Sequence, residues 1–274
     1  MVKSDQHILI DSSVLQRIVE YADLSGSDVV LEIGAGTGVL TEKLAERVLR
    51  VIAIEIDPGY AGVLNRRFRD SNVEIINGDA LKTEFPEFNK VVSNLPYSIS
   101  SQITFRLLAR SPDLMGRSDP FEPSDPFEPF ERAVLMYQYE FAERMAAPPG
   151  SKAYGKLSIA VQYRAEIELL EVVPATAFAP QPTVQSAIVR LTPRAPEYEL
   201  LDHRFFSRFL TAVFSQRRKK LKNSIAGFAG LSGLSSVSLE DEGLPPDILE
   251  KRPEELSAAT LAELSNSIYS RTRN

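Results

Sequence analysis

Asn94-Leu95-Pro96-Tyr97 is a run whose residue types could act on an aromatic amine. The lone pair of such an amine is delocalised into its ring, so it is a poor nucleophile until that conjugation is broken. A side-chain amide and a backbone carbonyl can each accept one amine hydrogen and draw the nitrogen toward pyramidal geometry. Neutral acceptors fixed in place stabilise the developing positive charge without reorganising, and alignment of the two reactants adds the proximity term. On this reading Asn94 and the carbonyl of Pro96 are the acceptors, and Tyr97 offers a ring for stacking, worth roughly 1–3 kcal/mol per base. A base inside a helix cannot reach such a site, so the target is flipped out or single-stranded. Alone, the run would equally be a turn after a strand, since Asn and Pro are turn formers.

The electrophile is suggested upstream, by Glu32-Ile33-Gly34-Ala35-Gly36-Thr37-Gly38. Glycines here let the backbone turn tightly and approach a ligand closely. Val39 stands where a dinucleotide fingerprint would carry its last glycine, which disfavours a nicotinamide cofactor. Glu32 would repel a pyrophosphate but suits a ligand carrying an ammonium and a sulfonium. Glu55 lies at the end of the next apolar run, placed for a ribose hydroxyl pair, and Asp79 follows a third, placed for an adenine amino group. S-adenosylmethionine fits these pieces together.

These residues must be positioned by an alternating α/β scaffold. Apolar runs at 29–33, 51–56, 73–76, 91–92 and 133–136 read as strands buried on both faces, with a helix over 39–46 after the glycine loop. That pattern indicates an open parallel sheet with helices on both sides. Runs at 168–173 and 187–191 fit an antiparallel edge. Thr192-Pro193-Arg194-Ala195-Pro196 reads as a linker, dividing a catalytic domain (1–195) from a small all-α domain (196–274). In the latter Phe205, Phe209 and Val213 recur at helical spacing, as do Phe206, Leu210 and Phe214. Leu221, Ile225 and Phe228 continue a second helix, and Pro253-Glu254-Glu255 opens a last one carrying Leu261, Leu264 and Ile268. Ser-Asp-Pro-Phe-Glu-Pro occurs twice in succession, at 118–123 and 124–129. It reads as a surface insert or, through its Phe residues, as a partner-docking loop.

Composition narrows the classes. With no cysteine, disulfides, thiolate metal sites and cysteine nucleophiles are excluded, and with them ring-carbon methylation through a cysteine adduct. His7 and His203 are the only two histidines, so no metal site is expected. No apolar run has the length to cross a bilayer, and the polar N-terminus does not resemble a secretory signal; a cytoplasmic location without membrane partners is expected. The formal net charge of −6 hides an asymmetry. Between His203 and Leu239 there is no acidic residue, whereas Arg204, Arg208, Arg217, Arg218, Lys219, Lys220 and Lys222 fall there. The run 217–222 reads as a basic helix, either a solvated face or a set of phosphate contacts that position nucleic acid without reading sequence.

Together these segments resemble the rRNA adenine N6,N6-dimethyltransferase family, in its archaeal or eukaryotic branch, nearly end to end. Asp5-Gln6-His7-Ile8-Leu9-Ile10-Asp11 resembles the family's N-terminal segment over the cofactor, with Asp5 and Ile8 replacing the usual Gly and Phe. The cofactor loop and Asn94–Tyr97 match, Gln138 and Glu140 resemble a Gln-x-Glu element, and Phe178-Ala179-Pro180-Gln181-Pro182-Thr183-Val184-Gln185-Ser186 resembles a signature loop. Gln185 stands where the family often carries an acid, and 113–131 is longer than expected. Phe214–Leu221 and 252–256 resemble C-terminal elements. The resemblance implies a Rossmann-like class I S-adenosylmethionine-dependent methyltransferase sheet with cofactor contacts at Gln6, His7, Leu9, Gly34, Gly36, Glu55, Ile56, Asp79, Ala80 and Asn94. Phe178 would face Tyr97 across the target base; its alternative is an ordinary core Phe. The substrate implied is small-subunit rRNA near its 3′ end, free or in a pre-small subunit, dimethylated by a monomeric enzyme. Large-subunit rRNA methylation, and a ribosome-assembly factor with secondary catalysis, remain alternatives.

Overall fold

The computed structural model describes residues 7–109, 130–225 and 246–272; Asp5, Gln6, the duplicated hexapeptide and Phe228 lie outside them. In chain order the elements are β1 (Ile8–Leu9), α1 (Ser12–Tyr21), β2 (Val29–Ile33), α2 (Val39–Ala45), β3 (Arg50–Glu55), α3 (Pro58–Arg67), β4 (Val73–Asn77), β5 (Lys90–Asn94), α4 (Ser100–Ala109), β6 (Arg132–Gln138), α5 (Tyr139–Ala146), α6 (Lys156–Gln162), β7 (Ala165–Val173), β8 (Phe178–Ala179), β9 (Ser186–Pro193), α7 (His203–Ser215), α8 (Pro246–Glu250) and α9 (Ala258–Thr272).

The chain divides into two compact units, of which the first holds the described residues up to 109, 130–143 and Ala165–Arg194. Its seven-stranded sheet has the order β4-β3-β2-β5-β6-β9-β7. Strands β2 to β6 run parallel, and β9 inserts antiparallel between β6 and β7. Central strands are enclosed on both faces: Val30, Leu31, Val51, Ile52, Val91 and Val92 are all fully buried. This is why they read as unbroken apolar runs. The ladders extend further than those runs. Lys90, Asn94, Arg132 and Gln138 pair through the backbone despite polar side chains, so hydrophobicity marks the strand centre and misses its ends. Chain order reverses between β2 and β5, the crevice where open α/β sheets bind ligands. A separate ribbon joins the chain's first strand to its signature loop, with β1 antiparallel to β8 and Leu9 opposite Phe178.

The second unit holds Arg144–Arg164 and the described residues from Ala195 onward. A division at 195 leaves 144–164 in the wrong unit. Those residues pack with the C-terminal helices: Lys156 Nζ donates to Ser207 Oγ (3.0 Å) and Thr211 Oγ1 (2.7 Å) on α7, and Tyr154 meets Phe214 edge to face at 6.0 Å. Phe206, Phe209, Leu210 and Val213 form the buried stripe of α7. The last helix starts at Ala258 rather than Pro253. Pro253–Glu255 is a separate 3-10 turn, and the Ser257 hydroxyl accepts from Thr260 N (3.1 Å), a serine N-cap. Nor is 217–222 one basic helix. α7 ends at Ser215, Arg217–Lys220 turn, and the helical conformation resumes at Leu221. Cations just past a helix C-terminus suit its dipole.

Candidate active site

The carboxyl ends of four parallel strands enclose a cavity of about 530 Å³ within the first unit, lined by His7, Leu9, Glu32, Gly34, Gly36, Glu55, Ile56, Asp79, Ala80, Asn94, Leu95, Pro96 and Tyr97 among others. Every cofactor position expected from the sequence except Gln6, which lies outside the described residues, borders this one space. So do the three expected catalytic residues. Tyr60, Thr37, Ser98 and Ile99 also line it; Tyr60 follows the Asp57-Pro58 helix start beyond β3, and that placement is the signal that could have found it.

The loop after β2 is shaped by its glycines. Gly34 has φ +77° and a Cβ there would lie 3.2 Å from Pro96 Cδ; Gly38 has φ +81° and a Cβ would lie 2.6 Å from Leu64 Cδ2. A side chain at either position would be strained and would crowd the Asn94–Tyr97 segment or α3. Glu55 is 4% exposed, and its carboxylate accepts from Gly36 N (2.8 Å) and Asp57 N (2.9 Å). Two backbone donors fix it and leave lone pairs free for hydroxyls. Asp79 accepts from Leu81 N (2.9 Å) and faces Lys82 Nζ at 3.6 Å. Ile56, 49% exposed, gives the cavity an apolar surface beside these acids.

Glu32 is 2% exposed, and its Oε2 is buried with no hydrogen-bond partner. Burial, reinforced by the Glu55 charge, pushes its carboxyl up to about 8. An orphaned carboxyl oxygen on a cavity wall is what an ammonium would satisfy.

Asn94 ends β5 with its orientation set. Nδ2 donates to the carbonyl of His7 (3.2 Å), which leaves Oδ1 as the acceptor. The carbonyl of Pro96, expected to be the second acceptor, is occupied: it closes the 3-10 turn by accepting from Ile99 N and Ser100 Oγ, both at 3.2 Å. The neighbouring Leu95 carbonyl accepts no hydrogen bond among the described residues, and Leu95 lines the cavity. The Tyr97 ring lies 5.5 Å from that of His7, tilted 36°, and its hydroxyl bonds Ser186 Oγ at 2.6 Å.

Comparison with known proteins gives the chemistry a context. The family model for ribosomal RNA adenine dimethylases matches residues 2–234. The chain belongs to the ribosomal RNA adenine dimethylase family. It is 49% identical to a probable ribosomal RNA small subunit methyltransferase A of Methanosarcina mazei over 97% of this chain and 92% of the relative. A Halobacterium salinarum protein of the same description is 46% identical over 96% and 88%. Among solved structures, a dimethyladenosine transferase from Plasmodium falciparum superposes with TM-score 0.76 at 29% identity, covering 97% of this chain and 98% of that one. The 23S rRNA methyltransferase ErmE gives 0.66 at 28%, covering 93% and 98%. This adenine dimethylase is accordingly an S-adenosylmethionine-dependent rRNA adenine N6,N6-dimethyltransferase of class I fold with a helical C-terminal part, and it serves ribosome biogenesis. The glycine loop, Glu32, Glu55 and Asp79 are the residues fitted to hold its cofactor, which when bound supplies an electrophilic sulfonium methyl.

Besides the Pro96 carbonyl, two expectations for the dimethylase site need correction. Phe178 does not line the cavity. It is 3% exposed and packs in the core with Leu9, Val14 and Ile188, so the ring beside Tyr97 is that of His7. The basic run is partly engaged within its own unit. Arg217 pairs with Glu254 (2.7 Å) and donates to the Lys152 carbonyl (2.6 Å), while Lys220 and Lys222 both pair with Glu250. Arg218 and Lys219 are exposed.

Proposed function

We propose that this enzyme dimethylates adjacent adenosines at N6 in a hairpin loop near the 3′ end of small-subunit rRNA, acting as a monomer in the cytoplasm on free RNA or a pre-small subunit. The observation that carries the chemistry is the fixed Asn94 amide. Its Nδ2 is committed to His7, so Oδ1 accepts one N6 hydrogen, and the Leu95 carbonyl accepts the other. The lone pair is thereby localised and aimed along the line of attack, Tyr97 holds the base by stacking, and the proton released from the amine passes to solvent. The small-subunit target is supported by end-to-end similarity at 49% to a relative described by that substrate, against 28% to ErmE.

The test is to map methyl groups added to under-methylated small subunits, naked small-subunit rRNA and large-subunit rRNA. Dimethyladenosine confined to the small-subunit 3′ region is expected; label confined to large-subunit RNA refutes the assignment. Asn94→Ala is expected to lower turnover by about 10²–10³-fold, as for loss of one fixed hydrogen-bonding group, with far smaller change in cofactor affinity by calorimetry. Undiminished turnover would remove Asn94 from the mechanism.

A further inference from the structure

The signature loop between β8 and β9 carries no part of the cofactor cavity, yet it reaches two rings that do. At one end the Pro180 carbonyl accepts from His7 Nδ1 at 2.8 Å. At the other, Ser186 Oγ bonds the Tyr97 hydroxyl at 2.6 Å. Ser186 is fully buried, and its backbone lies between two strands, opposite Gln138 of β6 and Val173 of β7. Tyr97, in contrast, sits on a single 3-10 turn after β5. A buried hydroxyl on a strand paired on both sides thus holds the far end of a ring carried by a short turn.

No base fits between that ring and the His7 ring. A base inserted between Tyr97 and His7 would need centroids about 7 Å apart, twice an ordinary contact distance of ~3.5 Å; they are 5.5 Å apart. With no room between the two rings, a base must stack where His7 does not meet the Tyr97 ring. We propose that Ser186 is a positioning residue for methyl transfer: by pinning the Tyr97 hydroxyl it fixes where the far end of the ring lies, and so the place at which the target adenine stacks. This rests on the stacking role assigned above to Tyr97. It acts only on alignment of the amine, since Ser186 touches neither the cofactor cavity nor the reacting atoms.

The experiment compares Ser186→Ala, Tyr97→Phe and the double variant with the parent on small-subunit RNA. Each single variant should lower kcat by about 10–100-fold, the range expected when a reacting group is misaligned. The double variant should be no worse than the poorer single. Affinity for S-adenosylhomocysteine by calorimetry should equal the parent's. RNA carrying 2-aminopurine at the adenine the parent methylates should show less stacking quench with either single variant, a readout independent of turnover. Additive losses, parental kcat in either single variant, or a fall in cofactor affinity parallel to the fall in kcat would overturn the proposal. Should Ser186→Ala not fold, Tyr97→Phe decides alone, because it removes only the hydroxyl; parental quenching there would overturn it. A parent that methylates no adenine refutes the functional reading instead.

Discussion

A carboxyl group shut away from water with one oxygen unpartnered, as in Glu32, keeps its proton at neutral pH. Between its ordinary value of 4.5 and about 8 the folded chain holds a proton that the unfolded chain has lost. The stability contributed by this group is therefore complete below 4.5 and declines as pH rises through that window. A bound ammonium reverses the preference, since an adjacent cation favours the ionised form. Below pH 8 cofactor uptake should release a proton, and affinity should climb with pH by up to about tenfold per unit before levelling. Calorimetry in buffers of different ionisation enthalpy checks this: the parent's observed heat should depend on the buffer, and that of Glu32→Gln should not. A buffer-independent heat for the parent would discard the linkage. Glu32 was legible in the sequence as a carboxylate that suits a cation. Its protonation was not, because that depends on which atoms enclose it.

At the scale of elements, the turn after α7 divides its charges. Glu250 on α8 is shared by Lys220 and Lys222 and offsets one of their two charges, and Glu254 holds Arg217, whereas Arg218 and Lys219 are exposed with no such ion pair among the described residues. Phosphate contacts then depend most on Arg218 and Lys219, whose charges are not shared with Glu250 or Glu254. Replacing Arg218 and Lys219 with Gln should lower the slope of log K against log salt by about 1.4–1.8, taking 0.7–0.9 per phosphate. The same change at Lys220 and Lys222 should lower it less. RNA binding measured over a range of salt checks both, and equal slopes for the two double variants would remove the distinction. The sequence located this basic run but assigned it to a helix. Its internal acids come from 250 and 254, and nothing in local spacing says that those residues return to 217–222. The parallel strands were far easier to read, because burial on both faces writes itself as an apolar run. Their ladder ends were hidden, since backbone pairing of Lys90 or Gln138 leaves no mark on side-chain type.

For the molecule as a whole, the active site draws on both early and late parts of the first unit. His7 gives its carbonyl to Asn94 and its ring to Tyr97, and β1 is held by β8. Deleting residues 1–10 should leave the central sheet folded by circular dichroism but cut methyl transfer by about 10²-fold even at saturating cofactor, because Asn94 loses the partner that orients it. Parental turnover at saturation would show that β1 serves cofactor binding alone. Motif order along the chain made much of the cavity legible, since the glycine loop, Glu55, Asp79 and Asn94 fall at strand ends, whereas His7 and Leu9 came from the resemblance alone. The His7–Tyr97 contact was not legible, because it joins segments that only the ribbon brings together. The same kind of return explains 144–164, whose helix belongs with partners that lie past residue 195.

The His7–Pro180 bond spans 173 positions of sequence, and this separation has a temporal meaning. During synthesis the opening strand must wait for residues 178–180 before it has anything to zip onto. A growing polypeptide stopped short of that point already possesses its glycine turn and its Asn-Leu-Pro-Tyr run, yet lacks the closure that aims them. The contacts of His7 with Asn94 and Tyr97 are therefore the late-forming part of the site.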